Sequence, residues 1–272
     1  MTRHEALDLK KPAIAGGVAH SLRHDSAHKH VTGEAIYIDD MPEPAGTLHA
    51  YLGLSTIAHG TIRKMDLSEV EAAPGVVAVL TAKDIPGHND ISPTGLNDEP
   101  VFPESEVQFF GQPLFAVIAE TREAARRACR LAKIGYEEQP ALIDAADADP
   151  ASPRLVTKPL KLERGEVEKA LSAAPRRIKG RMRVGGQDHF YLEGQIALAV
   201  PGEDMDVTVH SSTQHPSEVQ HMVAHVLGIP SHAVTIEVRR MGGGFGGKET
   251  QANLFAAVAA LAAKRTGRPV KL

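Results

Sequence analysis

The chain has 272 residues, 42% of them hydrophobic and 24% charged, a globular composition that excludes a disordered, collagenous or coiled-coil protein and allows two domains at about 150 residues each. Thirty-four acidic against 30 basic residues, with no Trp, leave no basic footprint for nucleic acid and few platforms on which bases could stack. The lone Cys129 excludes an internal disulfide, a multi-cysteine zinc site and an iron–sulfur cluster on this chain, and points to a reducing, cytoplasmic location.

Residues 1–24 carry scattered charges without a period and read as a tail. The stretch Met1–Asp8 lacks the apolar centre of a signal peptide. His20, His24, His28 and His30 lie near helical spacing, but Lys29 among them and the absence of helix signals argue against a metal site. Leu48–Ser55, Gly75–Thr81 and Gln112–Ala119 are short apolar runs bounded by Gly, Pro and polar residues, the pattern of strands. Thr121 is the expected N-cap of a helix over Arg122–Ile134, with Ala125, Ala128, Cys129 and Ala132 on one stripe and Gly135 closing it. These elements make an α/β unit over residues 25–143. Asp144–Pro153 is rich in Asp, Pro and Ser and opens a linker, residues 144–165. In a second unit, residues 166–272, strands are expected over Gln195–Val200, Asp206–Ser211 and Ala233–Arg239. A helix starts at Pro216, bracketed by proline at N1 and Gly228 after Leu227, with Val219, Met222, Val223 and Val226 as its apolar stripe. Another runs from about Thr250; its apolar run Leu254–Ala263 is half the roughly 20 residues of a membrane span and reads as a buried helix. Arg268–Leu272 begins a further extended segment, so the second unit reads as the first part of a domain.

Arg240–Glu249 holds five glycines in six positions between a strand and a helix. Such a loop lets backbone N–H groups converge on an anion or oxo group, whereas a tight turn needs only one or two glycines. Gly242, Gly244 and Gly247 satisfy the dinucleotide pattern, yet no acidic residue follows between Thr250 and Leu272 to hold a ribose. Gly242–Lys248 also fits a phosphate loop, but Glu249 stands where a magnesium-binding Ser or Thr belongs, and Phe245 has no role in a phosphate cradle. Glu249 reads instead as a ligand-facing carboxylate at a helix start, where the dipole favours its ionised form by about 0.3–1 kcal/mol. Gln214, between a strand and a helix, is placed either to cap that helix or to meet a ligand at the carboxyl edge of a sheet.

His24–Ala35 with Asp39–Pro42, Val184–Glu193, Ser211–Glu218 and Arg239–Glu249, four motifs in order from about residue 24 onward, resemble the molybdenum-binding subunit of the xanthine dehydrogenase/aldehyde oxidase family. Gln195 matches the bacterial, split-subunit form. The resemblance implies a mixed α/β fold: an N-terminal hammerhead-type α/β domain followed by the beginning of a molybdenum-cofactor-binding α/β domain. It implies that Gln214 approaches an oxygen ligand of molybdenum, that the Gly244-Phe245-Gly246 loop packs against the metal centre, and that Glu249 hydrogen-bonds a purine. His189, Phe190 and Tyr191 read as an apolar strand edge with a buried polar anchor; the resemblance gives them a structural role near the cofactor, not a catalytic one, and gives Gln187 a contact there. The implied reaction is hydroxylation of xanthine or hypoxanthine by a molybdenum–molybdopterin enzyme, with an aldehyde oxidase or a truncated, non-catalytic module as alternatives. The family's base glutamate and substrate arginine fall beyond Leu272, so no catalytic residue is expected within the chain. Iron–sulfur and FAD centres are expected on a partner subunit in a hetero-oligomer.

Overall fold

The computed structural model describes residues 21–149 and 160–272; most of the expected tail, with His20, and the middle of the expected linker lie outside them. In chain order the elements are α1 (Ala27–Thr32), β1 (Leu48–Leu54), β2 (Gly60–Asp66), α2 (Ser68–Glu71), β3 (Val76–Leu80), β4 (Glu106–Val107), β5 (Pro113–Ala119), α3 (Arg122–Cys129), β6 (Lys133–Glu138), α4 (Val167–Ala173), β7 (Ala197–Pro201), β8 (Val207–Ser211), α5 (Pro216–Leu227), β9 (Val234–Glu237), α6 (Ala252–Thr266) and β10 (Val270–Lys271). The result is the mixed α/β fold expected.

Seven strands form one sheet in the order β3-β5-β1-β10-β7-β8-β9, and β4-β2-β6 form a second. The short β10 pairs parallel with β1 (Leu48 opposite Val270) and antiparallel with β7 (Val270 opposite Ala199), so a single sheet runs through both halves of the chain. Strand β5 explains the layering. Its residues Leu114–Ala119 are all at most 1% exposed, because a strand covered on both faces carries a continuous apolar run instead of an alternating one. Ala116 and Ile118 face the main core with α5, α6, β7 and β8, while Leu114, Phe115 and Val117 pack with α3 and the small sheet. Helix α6 is buried nearly all round; its run of alanines supplies side chains small enough for the helix to sit close against the sheet.

Helix signals were read correctly where the caps are chemical. The Thr121 hydroxyl accepts the Ala124 N–H at 3.1 Å, and α5 begins with proline and closes on Gly228 at φ 64°. The expected helix over Arg122–Ile134 is corrected: it ends at Cys129, and Lys133–Glu138 is strand β6. Ile134 and Tyr136 alternate with period two, pair with Met65 and Ile62 of β2, and pack in the second core. Gly135 lies opposite Lys64 in that ladder instead of closing a helix. A short helix, α1, does form among the histidines and closes on Gly33 at φ 79°, although no residue of it is buried. Among the described residues no helix is long and apolar enough to cross a membrane.

Candidate functional site

After β8 the chain runs through Ser212, Thr213, Gln214 and His215 before Pro216 opens α5. Here it meets the glycine loop. The Lys248 carbonyl accepts from the Gln214 N–H (2.8 Å) and from the Thr213 hydroxyl (3.1 Å). In return, the Gln214 Oε1 accepts the N–H groups of Gly246 (3.0 Å) and Lys248 (3.2 Å). Only the oxygen of a carboxamide can accept, so these bonds fix which end points inward and leave the NH2 of an exposed side chain directed outward. Gln214 does not cap the helix: His215 holds the N-cap position, without a side-chain cap.

The need for five glycines is visible in what a Cβ would strike. At Gly242 it would lie 2.4 Å from the Glu193 Cβ, at Gly244 2.6 Å from the Gln214 Oε1, and at Gly247 2.7 Å from the His189 Cγ and 2.9 Å from the Tyr191 Cε1. The loop is therefore pressed against two separate segments, residues 189–193 and Gln214, with Gly243 and Gly246 at φ 104° and 92°. Between them Phe245 adopts φ 54° while 74% exposed. The left-handed region costs a residue with a Cβ about 1–2 kcal/mol, and an exposed aromatic ring held there is the kind of stored strain that accompanies function.

Beneath the loop lies a buried polar clasp that the sequence reading missed. The Lys248 Nζ donates to the Glu193 main-chain oxygen and to the Ser212 Oγ, both at 2.7 Å, and sits 4.6 Å from the centre of the Tyr191 ring. The Glu193 Oε2 accepts from the Gly242 N–H and from the Ser212 hydroxyl, both at 2.7 Å. Gln195 donates to the Gly247 carbonyl (2.9 Å) and to the Tyr191 hydroxyl (3.0 Å). Burial lowers the pKa of Lys248, and the neighbouring Glu193 opposes that shift. An ammonium spent in this way faces the protein interior and cannot reach a phosphate, which removes the phosphate-loop alternative.

Glu249 is exposed, next in sequence to the carbonyl that holds Gln214. Its expected place in the first turn of a helix is corrected, since α6 starts only at Ala252, with Gln251 at the N-cap. The Lys248 carbonyl, already taken by Thr213 and Gln214, is not free to accept from Ala252, so the helix opens later. The expected strand edge at His189–Tyr191 is irregular chain in which Phe190 is exposed, though His189 and Tyr191 do lie against Gly247. Gln187 is exposed and forms none of the bonds of the clasp.

Residues 32–140 match the aldehyde oxidase and xanthine dehydrogenase a/b hammerhead domain, and residues 149–272 match the molybdopterin cofactor-binding domain. The chain belongs to the xanthine dehydrogenase/aldehyde oxidase family. It is 43% identical over 257 residues to the xanthine dehydrogenase/oxidase of Gallus gallus, covering 93% of this chain and 19% of that protein. It is 40% identical over 252 residues to aldehyde oxidase 3 of Rattus norvegicus, covering 92% and 18%. The chain thus spans about a fifth of the length of these curated relatives. Among solved structures, the aldehyde oxidoreductase from Desulfovibrio gigas superposes with a TM-score of 0.77 at 29% identity, over 91% of this chain and 29% of that one. Quinoline 2-oxidoreductase from Pseudomonas putida 86, at a TM-score of 0.74 and 24% identity over 100% of this chain and 36% of that one, shares the fold.

Proposed function

We propose that the chain supplies the hammerhead unit (residues 25–143), a connection (144–165) and the opening part of the molybdopterin-cofactor-binding unit (166–272) of a molybdenum hydroxylase acting on xanthine and hypoxanthine. The observation that carries this reading is the Gln214 amide, locked by its oxygen and presenting a neutral NH2 donor beside the exposed Phe245. A neutral donor suits a metal-bound oxygen because it offers a hydrogen bond without adding charge. The loop is also shaped around that amide: a Cβ at Gly244 would strike the Gln214 Oε1, so bare backbone there lets the amide seat. Gln214, Gly244, Phe245 and Gly246 would then hold the cofactor, with Gln214 and Phe245 nearest the metal. When bound, the molybdenum cofactor supplies the oxygen donor and electron acceptor for hydroxylating an electron-poor ring carbon.

Glu249 serves the substrate. Exposed beside the Gln214 contact, its carboxylate accepts from a purine ring N–H when ionised, and the protonated form donates to a ring nitrogen. The general base and a substrate-binding arginine are assigned to family segments beyond Leu272. A single cysteine cannot ligate a cluster, so electrons would leave through iron–sulfur and FAD centres outside these residues, placed in this reading on a partner subunit of a cytoplasmic hetero-oligomer. The similarity to aldehyde oxidase 3 and to the Desulfovibrio gigas enzyme supports a second reading, aldehyde oxidation by the same site; Glu249 favours the purine.

Molybdenum analysis by mass spectrometry tests the reading. A full-length protein carrying this sequence, purified with its iron–sulfur/FAD partner, should hold near-stoichiometric molybdenum and oxidise xanthine; absence of the metal from that assembly overturns the proposal. The 272-residue chain alone should hold little, because Gln214 and the Phe245 loop touch one side of the cofactor.

A further inference from the structure

Withdrawing an ammonium from water is strongly unfavourable unless its N–H groups find acceptors, so a lysine with no exposed side-chain surface implies a structural task. Lys248 reaches in two directions. Its Nζ grips the Glu193 main-chain oxygen and the Ser212 Oγ and lies 3.5 Å from the Glu193 Oε2. Its main chain grips the Gln214 segment, the N–H donating to the Gln214 Oε1 and the carbonyl accepting from the Gln214 N–H and the Thr213 hydroxyl. Glu193 returns to the far end of the same loop, where its N–H donates to the Gly242 carbonyl (3.3 Å) and its Oε2 accepts the Gly242 N–H.

We propose that Lys248 is a positioning residue for Gln214: its buried side chain, anchored on Glu193 and Ser212, fixes the loop backbone that holds the Gln214 oxygen inward and its NH2 outward. The proposal rests on the reading of Gln214 as the donor toward the cofactor. Glycine-rich backbone does not hold one conformation unaided. Without the anchor, Gly246 and Lys248 drift from the Gln214 oxygen, and the freed amide turns either end outward. One of those ends sets a lone pair against a ligand oxygen, where no hydrogen bond can form.

Nuclear magnetic resonance on the full 272-residue chain tests this without cofactor. The Gln214 NH2 signals are assigned by their loss in Gln214→Leu, and amide hydrogen exchange is followed at residues 246 and 248. In Lys248→Met, exchange at both amides should accelerate about tenfold or more, and the Gln214 NH2 signals should move to the position of a free glutamine, while Val209 in β8 stays protected. A merely structural contribution would instead loosen β8 together with the loop. Unchanged exchange at 246 and 248, with β8 intact, overturns the proposal. If Lys248→Met also unprotects β8, the deciding variant is Ser212→Ala, which removes one acceptor without stranding a charge. It should accelerate residue 246 by about threefold or more, and no acceleration overturns the proposal. Neither readout involves molybdenum, so a metal-free full-length assembly with the expected loop behaviour would sink the cofactor reading alone.

Discussion

Replacing Gly244 with alanine separates the orientation of Gln214 from the shape of the loop. The added Cβ would lie 2.6 Å from the Gln214 Oε1, 2.9 Å from its Cδ and 2.9 Å from the Met241 Cε. All three atoms belong to side chains that can turn aside, so the main cost is the pair of hydrogen bonds from Gly246 and Lys248, at about 0.5–1.5 kcal/mol each. The stiffer unfolded chain returns about 0.4–1 kcal/mol, which leaves a net loss of at most about 2.5 kcal/mol and a fall in melting temperature of at most about 10 °C at 2–4 °C per kcal/mol. Gly242→Ala is a different perturbation. Its Cβ meets the Glu193 Cβ at 2.4 Å, N at 3.3 Å and Cα at 3.4 Å, atoms fixed by the main chain, so the loop must move and the charge-assisted bond to Glu193, about 1.5–3 kcal/mol, is lost as well. Thermal unfolding should rank Gly242→Ala as the less stable variant, while Gly244→Ala shifts the Gln214 NH2 signals with a fall in melting temperature of at most about 10 °C. The reasoning fails if Gly244→Ala is the more destabilised of the two, or if it leaves those signals where they were.

In the full-length enzyme, Glu249→Ala should lower purine turnover by about ten- to a hundredfold, the worth of a charged hydrogen bond of about 1.5–3 kcal/mol, and affect aldehydes less because they lack the ring nitrogens. Equal losses on both substrate classes at intact molybdenum content would refute that role, whereas Gln214→Leu should slow both classes. Cys129 should be inert: burial pushes its thiol up to about 12, so alkylation of the folded chain at neutral pH should run about a thousandfold slower than that of a free thiol, and comparable rates would contradict the burial. Because the folded pKa is raised, this group's contribution to stability is complete below the unfolded value of about 8.5 and is lost as pH rises toward 12. Chemical denaturation of Cys129→Ala should accordingly show a flatter alkaline decline than the wild type.

The strands that carry their own core were legible in the sequence, and so was α5, whose proline and glycine brackets act locally. Strand β2 was not, because a register shift between Ile62 and Lys64 breaks its alternation and, of its seven residues, only Gly60 is buried. Strand β6 was absorbed into the preceding helix, since Ala132 and Ile134 prolong a helical stripe until the tertiary pairing with β2 is known. At the site, the glycine spacing and the place of Gln214 between strand and helix could be read directly. The work of Lys248 could not: a lysine after glycines reads as a phosphate ligand, and nothing local reveals that Glu193 and Ser212 lie beneath it. Glu249 was set at the helix start because the competing claim on the Lys248 carbonyl is a long-range contact.

The two-residue strand β10 has a kinetic consequence. Leu48 finds Val270 beside it, and the neighbouring Arg268 donates to the Gly46 carbonyl across a sequence separation of 222. Hairpin-like pairs such as β7 with β8 close short loops and can form early; the join between β1 and β7 must wait until β10, far along the chain from β1, has been synthesised and has returned to it. Until then the flanks of β1 and β7 are open ladders able to pair with other chains. Aggregation during synthesis should therefore compete at this one seam, and how quickly β10 inserts sets how long the nascent protein depends on chaperones.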